Sequence, residues 1–144
     1  MKVAVGSDHA GWALKEHLRG VLAAASHDVV DCGTDSVASC DYPQFAVAVA
    51  LAVAEGRAER GLLVCGTGIG MAMAANRVPG IRAANCNDVY TARLARLHND
   101  ANVLTVGSRV VAPAQAEVIV AEFLAAPFEG GRHRQRLEQL AALD

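Results

Sequence analysis

Residues Leu62–Met71 read LLVCGTGIGM. An apolar run ends in Cys65, and three glycines then alternate with small residues at Gly66, Gly68 and Gly70. Such a run, closed by turn residues, reads as a buried strand with a tight exit. The segment after it, GMAMAANR (Gly70–Arg77), suits a short helix, so the glycine loop falls between strand and helix. In open parallel sheets, ligands bind at the carboxyl ends of the strands.

The same alternation continues in both directions. Upstream come a strand at Lys2–Asp8, a helix at Gly11–Ser26, a strand at Asp28–Gly33 and a helix at Asp41–Gly56 with Pro43 in its first turn. The central strand is Arg60–Gly66. Downstream come a strand at Gly80–Cys86, a helix at Asn87–Asp100 capped by Asn87 or Asp88, a strand at Asn102–Ser108 and a helix at Ala112–Ala126. A last helix, Gly130–Asp144, is extra to the pattern, and its Leu137, Leu140 and Leu143 face needs a partner. Five apolar strands alternating with helices indicate an α/β fold with a parallel sheet covered on both faces. The 144 residues make one domain, 1–144, without repeat or linker.

Composition excludes several classes. The chain is 53% hydrophobic and 19% charged, which is globular. A net charge of −2 argues against nucleic acid or an anionic membrane surface as partner. The longest apolar run, Phe45–Ala54, is too short to span a bilayer. The four cysteines, Cys32, Cys40, Cys65 and Cys86, lack zinc-type spacing. Met1–Val5 leads directly into a strand, so the expectation is a cytoplasmic protein with reduced thiols.

The loop CGTGIG misses the dinucleotide fingerprint, because the third glycine falls one place early and Met71 stands where it belongs. What remains is a nest of backbone N–H groups at a helix start, suited to an anion or a developing oxyanion. The plain alternative is that the glycines only let the backbone turn. Cys65 is either a thiolate-type reagent at a helix N-terminus or a small core residue. Asp8 and His9 lie at the end of the first strand, and Arg109 lies just past the fifth. His98 and Asn99 end the helix before the fifth strand, across the sheet from the Cys65 edge, unless a dimer interface brings them there. Arg132 and Arg136 are four apart on one helix face, so they either flank an anion or pair with Glu129 and Glu138.

The motifs SDHAG, DYP, CGTGIG, HNDANVL, GSRV and EGGRH occur in an order that resembles the ribose-5-phosphate isomerase B family, which includes galactose-6-phosphate isomerase subunits. The resemblance spans Met1 to about Leu137. It implies a Rossmann-like three-layer α/β/α sandwich and a homodimer or dimer of dimers with interfacial active sites. It also implies aldose–ketose isomerisation of a sugar phosphate without metal or cofactor, through a cis-enediolate. Carried onto this sequence, Cys65 is the base and Thr67 shuttles a proton between the two oxygens, while the N–H groups from Gly66 to Gly70 hold the enediolate. His98, with Asp8 and Tyr42, opens the furanose ring. His9, Arg109, Arg132 and Arg136 hold the phosphate, and Asn99 binds sugar hydroxyls. Some members use a glutamate as base; here Ala72, Met73 and Ala74 occupy that region, which matches the cysteine type. The implied substrate is ribose 5-phosphate. The alternatives are a tetrose or hexose phosphate, or a non-catalytic sugar-phosphate-binding module.

Overall fold

The computed structural model describes residues 1–144. The elements are β1 (Lys2–Ser7), α1 (Trp12–Ala24), β2 (Asp28–Asp31), α2 (Tyr42–Ala54), β3 (Arg60–Cys65), α3 (Ile69–Ala75), β4 (Ala83–Asn85), α4 (Val89–Leu97), β5 (Val103–Gly107), α5 (Pro113–Ala125) and α6 (Arg132–Ala141). The five strands form one parallel sheet in the order β2-β1-β3-β5-β4.

Strand alternation divides the core. Val3, Val5, Leu62, Val64, Leu104 and Val106 face the layer of α1, α4 and α5, where Leu18, Ile119 and Phe123 are buried. Ala4, Leu63, Cys65 and Val103 face the layer of α2 and α3, where Val49, Ala50 and Met71 are buried. The result is the expected Rossmann-like α/β/α sandwich. Small residues on the second face let α2 and α3 lie close to the sheet. Truncating one of the large buried side chains, such as Phe123, costs about 3–5 kcal/mol.

Two expected elements are shorter than their pattern. β4 keeps three residues, because Gly80 takes φ +79° and the N–H of Arg82 donates to the Asn102 side chain at 2.8 Å instead of to a ladder. α4 stops at Leu97, and Asp100 adopts φ +43°. The cap at its start is Asp88, whose carboxylate accepts the N–H of Thr91 at 2.8 Å. The buried Lys15 is paired as a buried charge must be, donating to Asp31 at 2.8 Å and to the Thr34 carbonyl at 2.6 Å. That ties the exit of β2 to α1.

Candidate active site

The chain leaves β1 toward β2 and returns to β3 on the other side of β1, so the strand order reverses between β1 and β3. A crevice for ligand opens at such a reversal. Asp8 stands at the end of one strand and Cys65 at the end of the other. The N–H of Asp8 donates to the Val64 carbonyl at 3.3 Å, which joins the two exits. One carboxylate oxygen of Asp8 accepts the N–H of Gly11 at 3.0 Å and starts α1. Ser108, after β5, donates to the Ala10 carbonyl at 2.8 Å and closes the floor on the third side.

The glycine loop wraps around the Cys65 sulfur. The N–H of Gly68 donates to Cys65 Sγ at 3.1 Å, a contact that strengthens when the sulfur carries charge. Gly68 has φ +82°, and a Cβ there would lie 2.3 Å from Asn85 Oδ1 and 3.0 Å from the Val106 backbone. Only glycine fits. The Gly68 carbonyl accepts the buried Thr105 hydroxyl at 2.8 Å, so its peptide units are held on both sides. The N–H groups of Gly66, Thr67 and Gly70 find no acceptor within the chain. They form an open nest at the start of α3. Cys65 itself is 6% exposed. Burial pushes the thiols of Cys32 and Cys86 above the usual range, and both pack with the apolar core.

Other expected residues gather at this edge. The Arg109 guanidinium packs against Gly66, at 3.3 Å from where a Cβ would be. The Tyr42 ring lies over Gly70 in the same way, at 2.6 Å. His9 Nδ1 is 3.2 Å from both the N–H and the carbonyl of Cys40, which fixes its ring against the loop before α2. Thr67 is exposed, and its hydroxyl accepts the N–H of Ile69 at 3.3 Å.

His98, Asn99, Arg132 and Arg136 do not join them within one chain. α4 starts beside the Cys65 loop and runs back along the sheet for nine residues, about 14 Å. His98 caps its far end. There the His98 ring stacks on His133 of α6, with centroids 4.2 Å apart and planes 11° apart. Arg132 and Arg136 flank His133 on α6, exposed and without an ion-pair partner. Glu129, their proposed carboxylate, faces the two histidines instead, at 3.5 Å from His133 and 3.8 Å from His98. Lone pairs in two nearly parallel ring planes do not converge on one ion, so the two histidines and Glu129 are not a preformed metal site. The loop carrying His98 and Asn99 is clamped through Asp100, which accepts from Arg82 at 3.0 Å and Arg96 at 2.7 Å. Beside it, Leu137 and Leu140 of α6 line a cavity of about 360 Å³ with Asn99 and Arg82.

Sequence reading missed the supports. Asn87, just before the α4 cap, accepts the N–H of Gly107 at 2.8 Å and donates to the Thr67 carbonyl at 3.4 Å, bracing the loop. Asn85, Thr105, Asp100, Glu129 and His133 are the others. Polar residues inside apolar strands, as with Thr105, were the one signal that could have marked them.

The Ribose/Galactose Isomerase family pattern matches residues 3–140. Ribose-5-phosphate isomerase B of Escherichia coli strain K12 is 48% identical over 143 residues, covering 99% of this chain and 96% of that protein. D-erythrulose-4-phosphate isomerase of Pectobacterium atrosepticum is 40% identical, covering 97% and 93%. The solved ribose-5-phosphate isomerase B of Clostridium thermocellum has a TM-score of 0.98 at 47% identity, covering 99% of this chain and 97% of that one. Fold and likeness together define an aldose–ketose isomerase built on an α/β/α sandwich. The chain belongs to the Ribose/Galactose Isomerase family.

Proposed function

We propose that this protein is a sugar-phosphate isomerase that interconverts D-ribose 5-phosphate and D-ribulose 5-phosphate, in the cytoplasm, at a site shared by two subunits of a homodimer. The observation that carries the reading is Cys65, its sulfur held by the Gly68 N–H at 3.1 Å beside an open nest of backbone donors. Removing a proton next to a carbonyl needs a placed base and a site for the oxyanion. This loop offers both.

In the proposed reaction His98, with Asp8 and Tyr42, opens the furanose ring. Cys65 as thiolate takes the proton from C2 of the open aldose, and the electron pair moves onto O1 as the enediolate. The N–H groups of the Gly66–Gly70 loop bind that charge. Thr67 passes a proton between O2 and O1, and Cys65 returns its proton to C1. His9 and Arg109 hold the phosphate together with Arg132 and Arg136, and Asn99 bonds sugar hydroxyls. Phosphate binding far from the reacting carbons fixes the sugar for transfer.

The separation of the two clusters supports the dimer. A two-fold interface would bring the His98 end of one subunit to the Cys65 end of the other. The exposed Leu140 of α6 and Leu143 just beyond it are suited to the same contact.

The relative that acts on D-erythrulose 4-phosphate favours one second reading, a shorter substrate at the same site. Catalytic efficiencies on tetrose, pentose and hexose phosphates test the choice; the pentose is expected to lead, and a tetrose leading by tenfold would overturn it. Deuterium entry at C2 of the aldose phosphate in heavy water distinguishes either enzyme from a non-catalytic binding module, which would incorporate none.

A further inference from the structure

The residues around His98 form a support that the reaction as described does not use. Glu129 is pinned to the end of α4, its N–H donating to the Leu97 carbonyl at 3.0 Å, one residue before His98. The chain then reverses through Gly130 at φ +67° and Gly131 at φ +54°, both in the region glycine favours. The reversal starts α6 with His133 beneath the His98 ring, at 4.2 Å between centroids. His133 is 7% exposed, whereas His98 is half-buried. Burial, with His98 and the Arg132 guanidinium nearby, holds His133 below the usual imidazole range. Two stacked imidazolium rings would repel, and burial disfavours the charged form of His133. Glu129 Oε2 lies within 4 Å of the Nε2 of each ring, as a counter-charge for either.

We propose that His133 and Glu129 are positioning residues for His98. The His133 ring is the platform on which His98 lies, and Glu129 is the anion that balances its proton, so His98 meets the sugar in one orientation. This rests on the reading of His98 as the ring-opening group. An aldose 5-phosphate enters as a closed furanose. A 2-ketose 5-phosphate has its O5 esterified and cannot close a furanose, so its C1 proton can exchange without ring opening. The two substrates therefore separate the step His98 performs from the step Cys65 performs.

The test uses the full-length dimer and two readouts: turnover of ribose 5-phosphate, and deuterium entry at C1 of ribulose 5-phosphate in heavy water. His133→Ala is expected to slow aldose turnover about tenfold, part of the 10²–10⁴-fold that a general acid supplies. It should leave ketose exchange within about twofold. His133→Phe, which keeps a flat ring in the same place, should recover most of the loss, and Glu129→Gln should show part of it. Thermal melts of each variant identify any that fail to fold, and the Phe and Gln variants then stand for the Ala. If both readouts fall together in the folded variants, or neither falls while His98→Asn loses aldose turnover, the positioning role is wrong. If His98→Asn keeps aldose turnover, the ring-opening reading fails instead and takes the proposal with it.

Discussion

The two ends of the sheet offer a ligand different things. At the carboxyl ends of β1 and β3 the site is made of backbone: a left-handed Gly68, open N–H groups and a sulfur 6% exposed. At the opposite end it is made of long side chains: stacked His98 and His133, and Arg132 and Arg136 without partners. Backbone donors are pre-aligned, so they suit charge that appears only in the transition state. Guanidinium groups are long and adaptable, so they suit a phosphate that stays charged throughout. The nine residues of α4 hold the two clusters apart within one chain, so the proposed reaction needs residues from both ends. The proposed dimer is the arrangement that would let both ends serve one substrate.

The largest effect should come from the backbone end. Cys65→Ala removes the proposed base and is expected to lower kcat about a thousandfold, within the range for general acid–base catalysis. Deuterium exchange should vanish with it, while inorganic phosphate still protects the folded protein from heat. Turnover near that of the unaltered protein would return Cys65 to the core residues. Next comes the joining of the ends. Cys65→Ala and His98→Asn subunits, each inactive, should regain activity when unfolded and refolded together. Random pairing makes about half the dimers mixed, each with one intact site of two, so recovery approaches about one quarter of the unaltered activity. No recovery would mean that each chain builds its own site. The side-chain end predicts a smaller, different loss. Arg136→Ala should raise KM for the sugar phosphate about thirtyfold, from roughly 2 kcal/mol for a hydrogen bond to a charged group, with kcat changed less. A fall confined to kcat would remove Arg136 from the phosphate.

The same contrast decides how much could be read from the sequence. Strand order was not legible, but five strands, the helices between them and the glycine loop were, because hydrophobic period and glycine spacing are local signals. Cys65, Asp8 and Arg109 were found because each sits where a strand ends. The supports escaped because they depend on contacts between distant segments: Thr105 to Gly68, Asn87 to Gly107, His133 to His98. Glu129 was read as a partner for the arginines on spacing alone, whereas the fold turns it to the histidines. The short β4 shows the same limit, since its apolar pattern yields to Asn102, a residue twenty positions from Arg82.

The smallest effect concerns α4, which touches both ends. Asp88 caps it, accepting the N–H of Thr91 at 2.8 Å and the Thr91 hydroxyl at 2.6 Å. These bonds hold the Asp88 carboxyl below its ordinary range. A carboxyl lowered by folding stabilises the folded chain at neutral pH, and that contribution fades as pH falls from the ordinary value, about 4, toward the lowered one. Asp88→Ala should therefore lower Tm slightly at pH 7, and the gap from the unaltered protein should narrow by pH 3. Turnover at moderate temperature should barely change, because Asn87, not Asp88, braces the Thr67 loop. A loss of turnover at unchanged Tm would mean that the first turn of α4 sets the loop. The helix would then connect the two ends within one subunit as well as separate them.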